Sequence, residues 1–290
     1  MIRLTLASNA VHLEAARRLR DGLQSRRDCM DILLWEPQRF SLTAADRRRW
    51  PLHLPLRPSS YLLLAPWALF GLVAELRLAH RSGAGGGLRF LLGRARRLTL
   101  LDDGLDQYRA RPRALDPSGF AVGTECWLFS DAPEWRAPWC ARFDCRDLGP
   151  LFPPAPSDSL PSEAAAASAQ GTLIIDSPGV EHLQGQASAF PRPLSLMPHP
   201  VAAKRAWRVP LAEGDRCLQG HPEELLPRWK GMVVVGESLM LLAALRLCRP
   251  GTRLWIALPA STDPHLKACV ALAVDRRPLV TLAGSPPPAP

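Results

Sequence analysis

The chain has 290 residues, 47% of them hydrophobic and 22% charged, which excludes a solvated, disordered protein and allows two domains with their own cores. Its net charge of +9 favours anionic partners such as nucleotides, acidic sugars or acidic lipids. Nucleic acid is not expected among them, because the nine tryptophans and the scattered arginines form no recognisable nucleic-acid-binding motif.

The first elements of the chain alternate between strands and helices. Alternating apolar residues predict a first strand over residues 1–8, and Asn9 is a suitable N-cap for a helix that extends to about residue 23. A second strand is predicted over residues 30–35. Residues 51–56 are expected to be irregular, because their two prolines cannot donate hydrogen bonds to a neighbouring strand.

The apolar segment at residues 61–74 raises the question of a membrane. It is interrupted by Pro66 and is shorter than the roughly 20 residues that a spanning helix needs, so we expect a buried strand end followed by a buried helix. Peripheral attachment to a membrane surface stays open as an alternative, because six arginines follow: Arg77, Arg81, Arg89, Arg94, Arg96 and Arg97.

The next segment leads to an acidic turn. The glycine-rich residues 83–87 lack the Lys-Ser/Thr of a P-loop and are predicted to be a flexible connection, followed by a basic helix near residues 88–97. A short buried strand then ends in Asp102-Asp103-Gly104, which is typical of a turn. Because chemistry in open α/β sheets gathers beyond the carboxyl ends of strands, either aspartate is also a candidate general base.

The seven cysteines form no CxxC pair and are odd in number. Together with the lack of a recognisable secretory leader, this predicts reduced thiols in a cytoplasmic protein. Cys140 and Cys145, with Asp144 and His182, match no zinc-ligand spacing, so no metal site is predicted.

A change in composition between residues 147 and 170 predicts the domain boundary. Prolines are followed there by an alanine-rich run, which is typical of a linker. We predict an N-terminal domain at residues 1–150, a linker at 151–170, a C-terminal domain at 171–284 and a disordered tail at 285–290.

The C-terminal domain repeats the alternation of strands and helices. A helix is predicted from Leu239 to about Cys248, and strands are predicted over residues 172–175, 194–197, 232–235 and 254–258. The chain as a whole is therefore expected to be α/β, with two Rossmann-like domains facing a central cleft.

Two strand ends of this domain carry candidate phosphate ligands. His199 lies between prolines after a strand, where a rigidly presented imidazole can donate to phosphate. Ser238 opens the helix, where a hydroxyl and free amides attract an anion. Glu224 follows Pro222 and could accept the hydroxyls of a ribose. A loop histidine, a helix cap and a helix N-terminal acid would explain the same residues without any ligand.

The order of these motifs resembles that of the bacterial sialyltransferase and polysialyltransferase group. That group has an acidic pair with glycine, then His-Pro, then a serine motif that opens a helix. The resemblance covers about residues 95–245, and Glu237 beside the serine and a second His-Pro at His221 depart from it. The matching residues are Asp102-Asp103-Gly104, His199-Pro200 and Ser238, supported by Tyr108 and by Pro222-x-Glu224-Leu225.

The resemblance implies a GT-B fold and an inverting, metal-independent sialyltransferase without a cofactor. A CMP-activated acidic sugar would be the donor and a glycan hydroxyl the acceptor. Asp102 or Asp103 would be the base, and His199 and Ser238 would hold the CMP phosphate. Gly104, Pro200 and Glu224 would complete the substrate-binding residues. Charge alone, and not the resemblance, suggests that arginines near the cleft such as Arg109 and Arg111 could attract an anionic donor or acceptor.

Two alternatives stay open. One is a GT-B transferase that uses another nucleotide sugar, such as CMP-Kdo. The other is a non-catalytic protein of surface-polysaccharide assembly that keeps the fold and binds an anionic glycan.

Overall fold

The computed structural model describes residues 1–22, 29–79, 86–104, 124–136, 140–141, 143–153, 170–199, 205–220, 222–277 and 279–282. The chain divides into two compact units, Met1–Leu151 and Phe152–Pro290. Several residues named above lie outside the described residues: Tyr108, Arg109, Arg111, Pro200, His221, most of the predicted linker and the predicted tail.

The first unit is built on a parallel sheet. In chain order its strands are β1 (Ile2–Ala7), β2 (Met30–Trp35), β3 (Leu52–Pro55), β4 (Val73–Leu78), β5 (Leu98–Leu101), β6 (Glu125–Leu128) and β7 (Asp144–Asp147). Within the described part of the chain they are ordered β3-β2-β1-β4-β5-β6-β7, and every pairing is parallel. The strand order reverses between β1 and β4, which is the switch point of a doubly wound fold.

Helices cover both faces of this sheet. They are α1 (Ala10–Gly22), α2 (Ala44–Arg49), α3 (Pro58–Leu69) and α4 (Gly86–Leu92). The apolar side of α1, with Leu13 and Leu19, packs on one face beside Trp50. Leu64 of α3 and Leu91 of α4 pack on the other face. The predicted first and second strands and the N-terminal helix are confirmed, and the side chain of Asn9 accepts from the N–H of His12, as an N-cap does.

Two expectations for this unit are wrong. Residues 51–56 are not irregular, because Leu52–Pro55 forms the edge strand β3, where one side of the strand needs no donors and proline is tolerated. Residues 61–74 form a helix and then a strand, the reverse of the expected order, and only one side of α3 is buried. The proline inside the apolar run therefore did not prevent a helix; Pro66 lies within α3.

The second unit repeats the architecture. Its strands are β8 (Thr172–Ile175), β9 (Leu194–Met197), β10 (Arg216–Cys217), β11 (Met232–Gly236), β12 (Arg253–Ala257) and β13 (Val280–Leu282). In the described residues they form a second parallel sheet, ordered β10-β9-β8-β11-β12-β13. The helical elements are a 3₁₀ helix (Val180–Ala189), α5 (Pro222–Leu225), a second, short 3₁₀ helix (Leu226–Arg228), α6 (Leu239–Leu247) and α7 (Pro264–Asp275).

The two sheets confirm the predicted α/β class and its pair of Rossmann-like halves, as expected for a GT-B-like fold. The four predicted strands of the second half and the helix after Ser238 are present, with ends within one residue of the expected positions. Each sheet has one switch point, between β1 and β4 and between β8 and β11. The central cleft stays a prediction.

Candidate active site

The Asp102 carboxylate fastens the end of β5 to the end of β6. Its Oδ2 accepts from the N–H of Phe129 at 2.8 Å and its Oδ1 accepts from the N–H of Gly104 at 2.6 Å. Gly104 has φ 76°, a left-handed conformation that glycine adopts readily, so the predicted turn is present. Asp102 is only 1% exposed, and burial raises its pKa to about 7 although both backbone donors lower it. This side chain is placed to hold the loop.

Asp103, the next residue, faces the first helix instead. Its side chain is 15% exposed, and its Oδ1 contacts the Nε2 of His12. The Nδ2 of Asn9 lies 3.5 Å from the same oxygen. The carboxylate also lies beside the N-terminus of α1, where the helix dipole favours negative charge. The end of β5 and the start of α1 thus form one polar cluster at the carboxyl edge of the sheet.

The hydrogen bonds around His12 define its tautomer. The backbone N–H of Ser8 lies 3.2 Å from Nδ1 and can only donate, while the Asp103 carboxylate beside Nε2 accepts, and both contacts place the ring proton on Nε2. Nε2 therefore donates to Asp103. The Nδ2 of Asn9 also lies 3.0 Å from Nε2, so with this tautomer its hydrogen is directed to the Oδ1 of Asp103 instead. His12 is 2% exposed, so its ring is enclosed. Of the three ionisable side chains in this cluster, Asp103 is the one with appreciable surface for a substrate.

This cluster suits proton abstraction from a hydroxyl group. A carboxylate oriented by an imidazole and an amide can accept a proton without losing its position. His12 was not predicted from the sequence, because its partner Asp103 is 91 residues away. A usable signal was present: polar residues directly after the first strand of a Rossmann-like unit lie at its switch point.

In the second unit, Asp176 organises the chain around His199. Asp176 follows β8, and its Oδ1 accepts from the N–H groups of Ala206 and Trp207 at 2.8 and 2.9 Å. Its Oδ2 accepts from the N–H of His199 at 3.4 Å. The predicted His199 therefore lies half-buried beyond β9, tied to the end of the neighbouring strand β8. Asp176 was also missed in the sequence.

Ser238 stands across β8 from His199, at the N-terminus of α6. Its Oγ is buried and has no hydrogen-bond partner among the residues that the structure describes, and it makes no capping hydrogen bond. The loop is tightly packed, since a Cβ on Gly236 would lie 2.1 Å from the carbonyl oxygen of Pro178. Two steps across a parallel sheet separate β9 from β11 by roughly 10 Å. The structure thus holds an unsatisfied hydroxyl at a helix N-terminus, where an anion would satisfy it.

Two acidic residues near this edge have separate positions. Glu237 accepts a hydrogen bond from the Oγ1 of Thr262, so this carboxylate is held toward the segment after β12. The hydrogen bond from Thr262 partly offsets the negative charge of Glu237, the residue before Ser238. Glu224 is exposed on the short helix α5, and its assignment to a ribose stays a prediction.

Among the described residues, no group of three or more His, Cys, Asp or Glu side chains is arranged to hold a metal ion. None of the helices that the structure describes has the length and hydrophobicity needed to cross a membrane.

No protein-family model matches the chain, and no curated protein matches its sequence. Comparison with solved structures gives matches along nearly the whole chain. The glycotransferase of kitacinnamycin matches at 12% identity and TM-score 0.48, with 97% of this chain and 85% of that chain covered. E. coli ADP-heptose lps heptosyltransferase II matches at 12% identity and TM-score 0.38, with 95% and 99% covered. E. coli heptosyltransferase WaaC with ADP-2-deoxy-2-fluoro heptose matches at 13% identity and TM-score 0.34, with 95% and 98% covered.

Proposed function

We propose that this chain is an inverting glycosyltransferase of the GT-B type in which Asp103 is the general base. The observation that carries the proposal is the Asp103 carboxylate, oriented by His12 and Asn9 at the carboxyl edge of a Rossmann-like sheet with part of its surface exposed. The sequence left open whether Asp102 or Asp103 is the base. Asp102 is buried and both of its carboxylate oxygens accept from backbone N–H groups, which favours Asp103.

In the proposed reaction, Asp103 takes the proton from an acceptor hydroxyl as its oxygen attacks the anomeric carbon of the donor. A bond from that carbon to the new oxygen forms, and the bond from the carbon to the donor phosphate breaks. The hydrogen bonds from His12 and Asn9 keep the base in one orientation. Attack opposite the leaving phosphate inverts the configuration at that carbon.

The second unit would bind the leaving nucleotide. The buried, unpartnered Oγ of Ser238 at the start of α6 supports a phosphate there, and the His199 imidazole would donate from the other side of β8. These donors would offset the charge that develops on the leaving phosphate. Variants of the proposed base and variants of the proposed phosphate ligands should each lower transfer.

For the donor, we propose a CMP-activated acidic sugar, with sialic acid as the first candidate. The support is the motif order Asp102-Asp103-Gly104, His199, Ser238 and the excess of positive charge. A glycan hydroxyl would be the acceptor. A different nucleotide sugar, such as CMP-Kdo, fits the same base and the same phosphate ligands.

The test is a transfer and hydrolysis assay with a donor panel of CMP-sialic acid, CMP-Kdo and an ADP-heptose. Asp103→Asn should lower turnover of the accepted donor at least about 100-fold. Asp144→Asn is the matched control, since Asp144 is exposed on β7 and pairs with Arg146 at 2.8 Å. Wild-type turnover in Asp103→Asn would overturn the assignment of the base. Glycan binding without turnover of any donor would instead support the non-catalytic alternative.

A further inference from the structure

One helix of the first unit carries apolar side chains on its solvent side. Its core side repeats at four-residue spacing, with Ser60, Leu64 and Ala68 buried. The opposite side has the four highest exposed fractions among the large apolar side chains that the structure describes. These four form the α3 ridge: Leu62 at 74%, Leu63 at 65%, Leu69 at 64% and Phe70, directly after the helix, at 77%.

The members of the α3 ridge share one side of the helix, and exposed Pro66 lies between them in the sequence. Leu62 and Leu69 are seven residues apart, as are Leu63 and Phe70, so each pair lies two helical turns along the same side. Single exposed leucines are ordinary on protein surfaces, but three on one side of a helix with an exposed phenylalanine directly after it are the pattern of an interaction site.

Arginines flank the α3 ridge, while an acidic neighbour, Glu36, lies close enough to α3 to add to the effect of burial that raises the pKa of Tyr61. The Nε of Arg96 donates to the carbonyl oxygen of Gly71 at 3.2 Å, which places its guanidinium beside Phe70. Arg94 lies over the ring of Phe90 on α4, 4.1 Å from the ring centroid, and α4 packs against α3. Arg57 precedes α3 as its N-cap and is exposed. Residues 51–74 and 86–97 contain no Asp or Glu, so acidic side chains of these segments do not neutralise that charge.

We propose that the α3 ridge docks this protein on a bilayer that contains anionic phospholipid. The four apolar side chains enter the interface between head groups and acyl chains, and Arg57, Arg94 and Arg96 contact lipid phosphates. An apolar strip with basic flanks is what an interfacial helix needs. At 12 residues α3 is about 18 Å long, which suits a helix lying along the surface.

Charge favours a membrane over a second copy of this chain. A symmetric contact through the α3 ridge would bring the arginine-flanked ends of one helix, with Arg57 and Arg96, toward the arginine-flanked ends of the other, and residues 51–74 and 86–97 have no acidic side chain to pair with them. Anionic head groups complement the same arginines. The inference does not depend on the proposed transferase activity.

The test is sedimentation of the full chain with vesicles. Vesicles of phosphatidylglycerol and phosphatidylethanolamine should bind the protein at 0.1 M salt, and vesicles of phosphatidylcholine alone should bind it at least tenfold less. The double substitution Leu62→Ser and Phe70→Ser should weaken binding at least tenfold without lowering the melting temperature, because both side chains are exposed. Arg96→Gln should weaken it about fivefold and reduce the dependence on salt.

Leu272→Ser is the matched control, since Leu272 is a 57% exposed leucine on α7 of the second unit and should leave vesicle binding unchanged. The proposal would be overturned if the wild-type protein did not bind anionic vesicles, or if the double variant bound them as tightly as wild type. So would light scattering that shows a wild-type dimer and a monomeric double variant, because the ridge would then be a protein interface.

Discussion

The imidazole of His12 donates from Nε2 to the Asp103 carboxylate, and the N–H of Ser8 fixes that direction by occupying Nδ1. The pair joins the first helix of the chain to the end of β5. Because Asp103 has the exposed surface and His12 is enclosed, the imidazole would act on a substrate of the proposed reaction only through the carboxylate.

Replacing His12 should therefore disturb the orientation of the Asp103 carboxylate more than the binding of the acceptor. We expect His12→Ala to lower kcat about tenfold to 100-fold while KM for the acceptor changes less than threefold. His12→Asn, which can still donate to Asp103, should recover part of the lost kcat. Steady-state kinetics of the three proteins, with melting temperatures as a control, separate this role from a loss of folding. Equal kcat in all three would contradict it.

Replacing Ser238 distinguishes a hydroxyl that binds a ligand from one that caps the helix. Because Oγ has no partner in the described structure, Ser238→Ala should leave the melting temperature unchanged or slightly raised and weaken CMP binding about tenfold. A capping role would instead reduce stability by about 1 kcal/mol. The matched control is Ser177→Ala: its Oγ donates to the carbonyl of Ile175 and accepts from the N–H of Gly236, so its loss should destabilise the second unit by about 1–3 kcal/mol.

Asp102 should make stability depend on pH. Its folded pKa of about 7 lies above the ordinary value of 3.8, so between these pH values the folded state binds more protons and unfolding becomes easier as pH rises. The free energy of unfolding of wild type relative to Asp102→Asn should fall by up to about 4 kcal/mol between pH 4 and pH 8. Urea denaturation at several pH values measures this. If the free energy of unfolding of wild type relative to Asp102→Asn rose with pH instead, the two backbone donors would lower the pKa of Asp102 by more than burial raises it.

Glu75 should show the opposite dependence on pH. Its carboxylate accepts from Arg3, Arg77 and Thr99 inside the first unit. Burial alone would raise its pKa, but Arg77, Thr99 and Arg3 hold the pKa below the ordinary 4.5. The stabilisation is therefore complete above pH 4.5 and is lost as pH falls further.

Removing this carboxylate leaves Arg77, which is fully buried, without its main counter-charge. We expect Glu75→Ala to lower the free energy of unfolding at pH 7 by about 3–5 kcal/mol. The control Asp144→Ala breaks an exposed ion pair with Arg146 and should cost less than about 1 kcal/mol. Similar losses in the two variants would contradict the distinction.

Short apolar strands that end in turns were predictable because their signal is local. The strand before Asp102 and the strand before Ser238 are continuous buried runs followed by turn or cap residues. β4 was not predicted, since Glu75 and Arg77 give it a charged pattern that only pairing with Arg3 of β1 makes compatible with burial. β10 has two residues and depends on β9 for its conformation, so nothing in its own sequence indicates a strand.

The residues of the candidate site also divide into those that the sequence indicated and those that it did not. Asp103, His199 and Ser238 follow strand ends and could be proposed from that position. The same strand-end signal was available for Asp176 and for the segment that leads to His12, but their partners lie tens of positions away in the sequence and could not be inferred from it. Likewise the exposure of one side of α3 follows from which face the sheet covers, whereas the sequence shows only that both sides are apolar.

The side chain of Asn9 makes two separate interactions. Its Oδ1 accepts from the N–H of His12 and so starts α1, while its Nδ2 lies against Asp103. Aspartate would start the helix equally well but would set a second negative charge beside Asp103, and alanine would lose both contacts. A substitution at position 9 that leaves the start of α1 intact would therefore still change the surroundings of the Asp103 carboxylate.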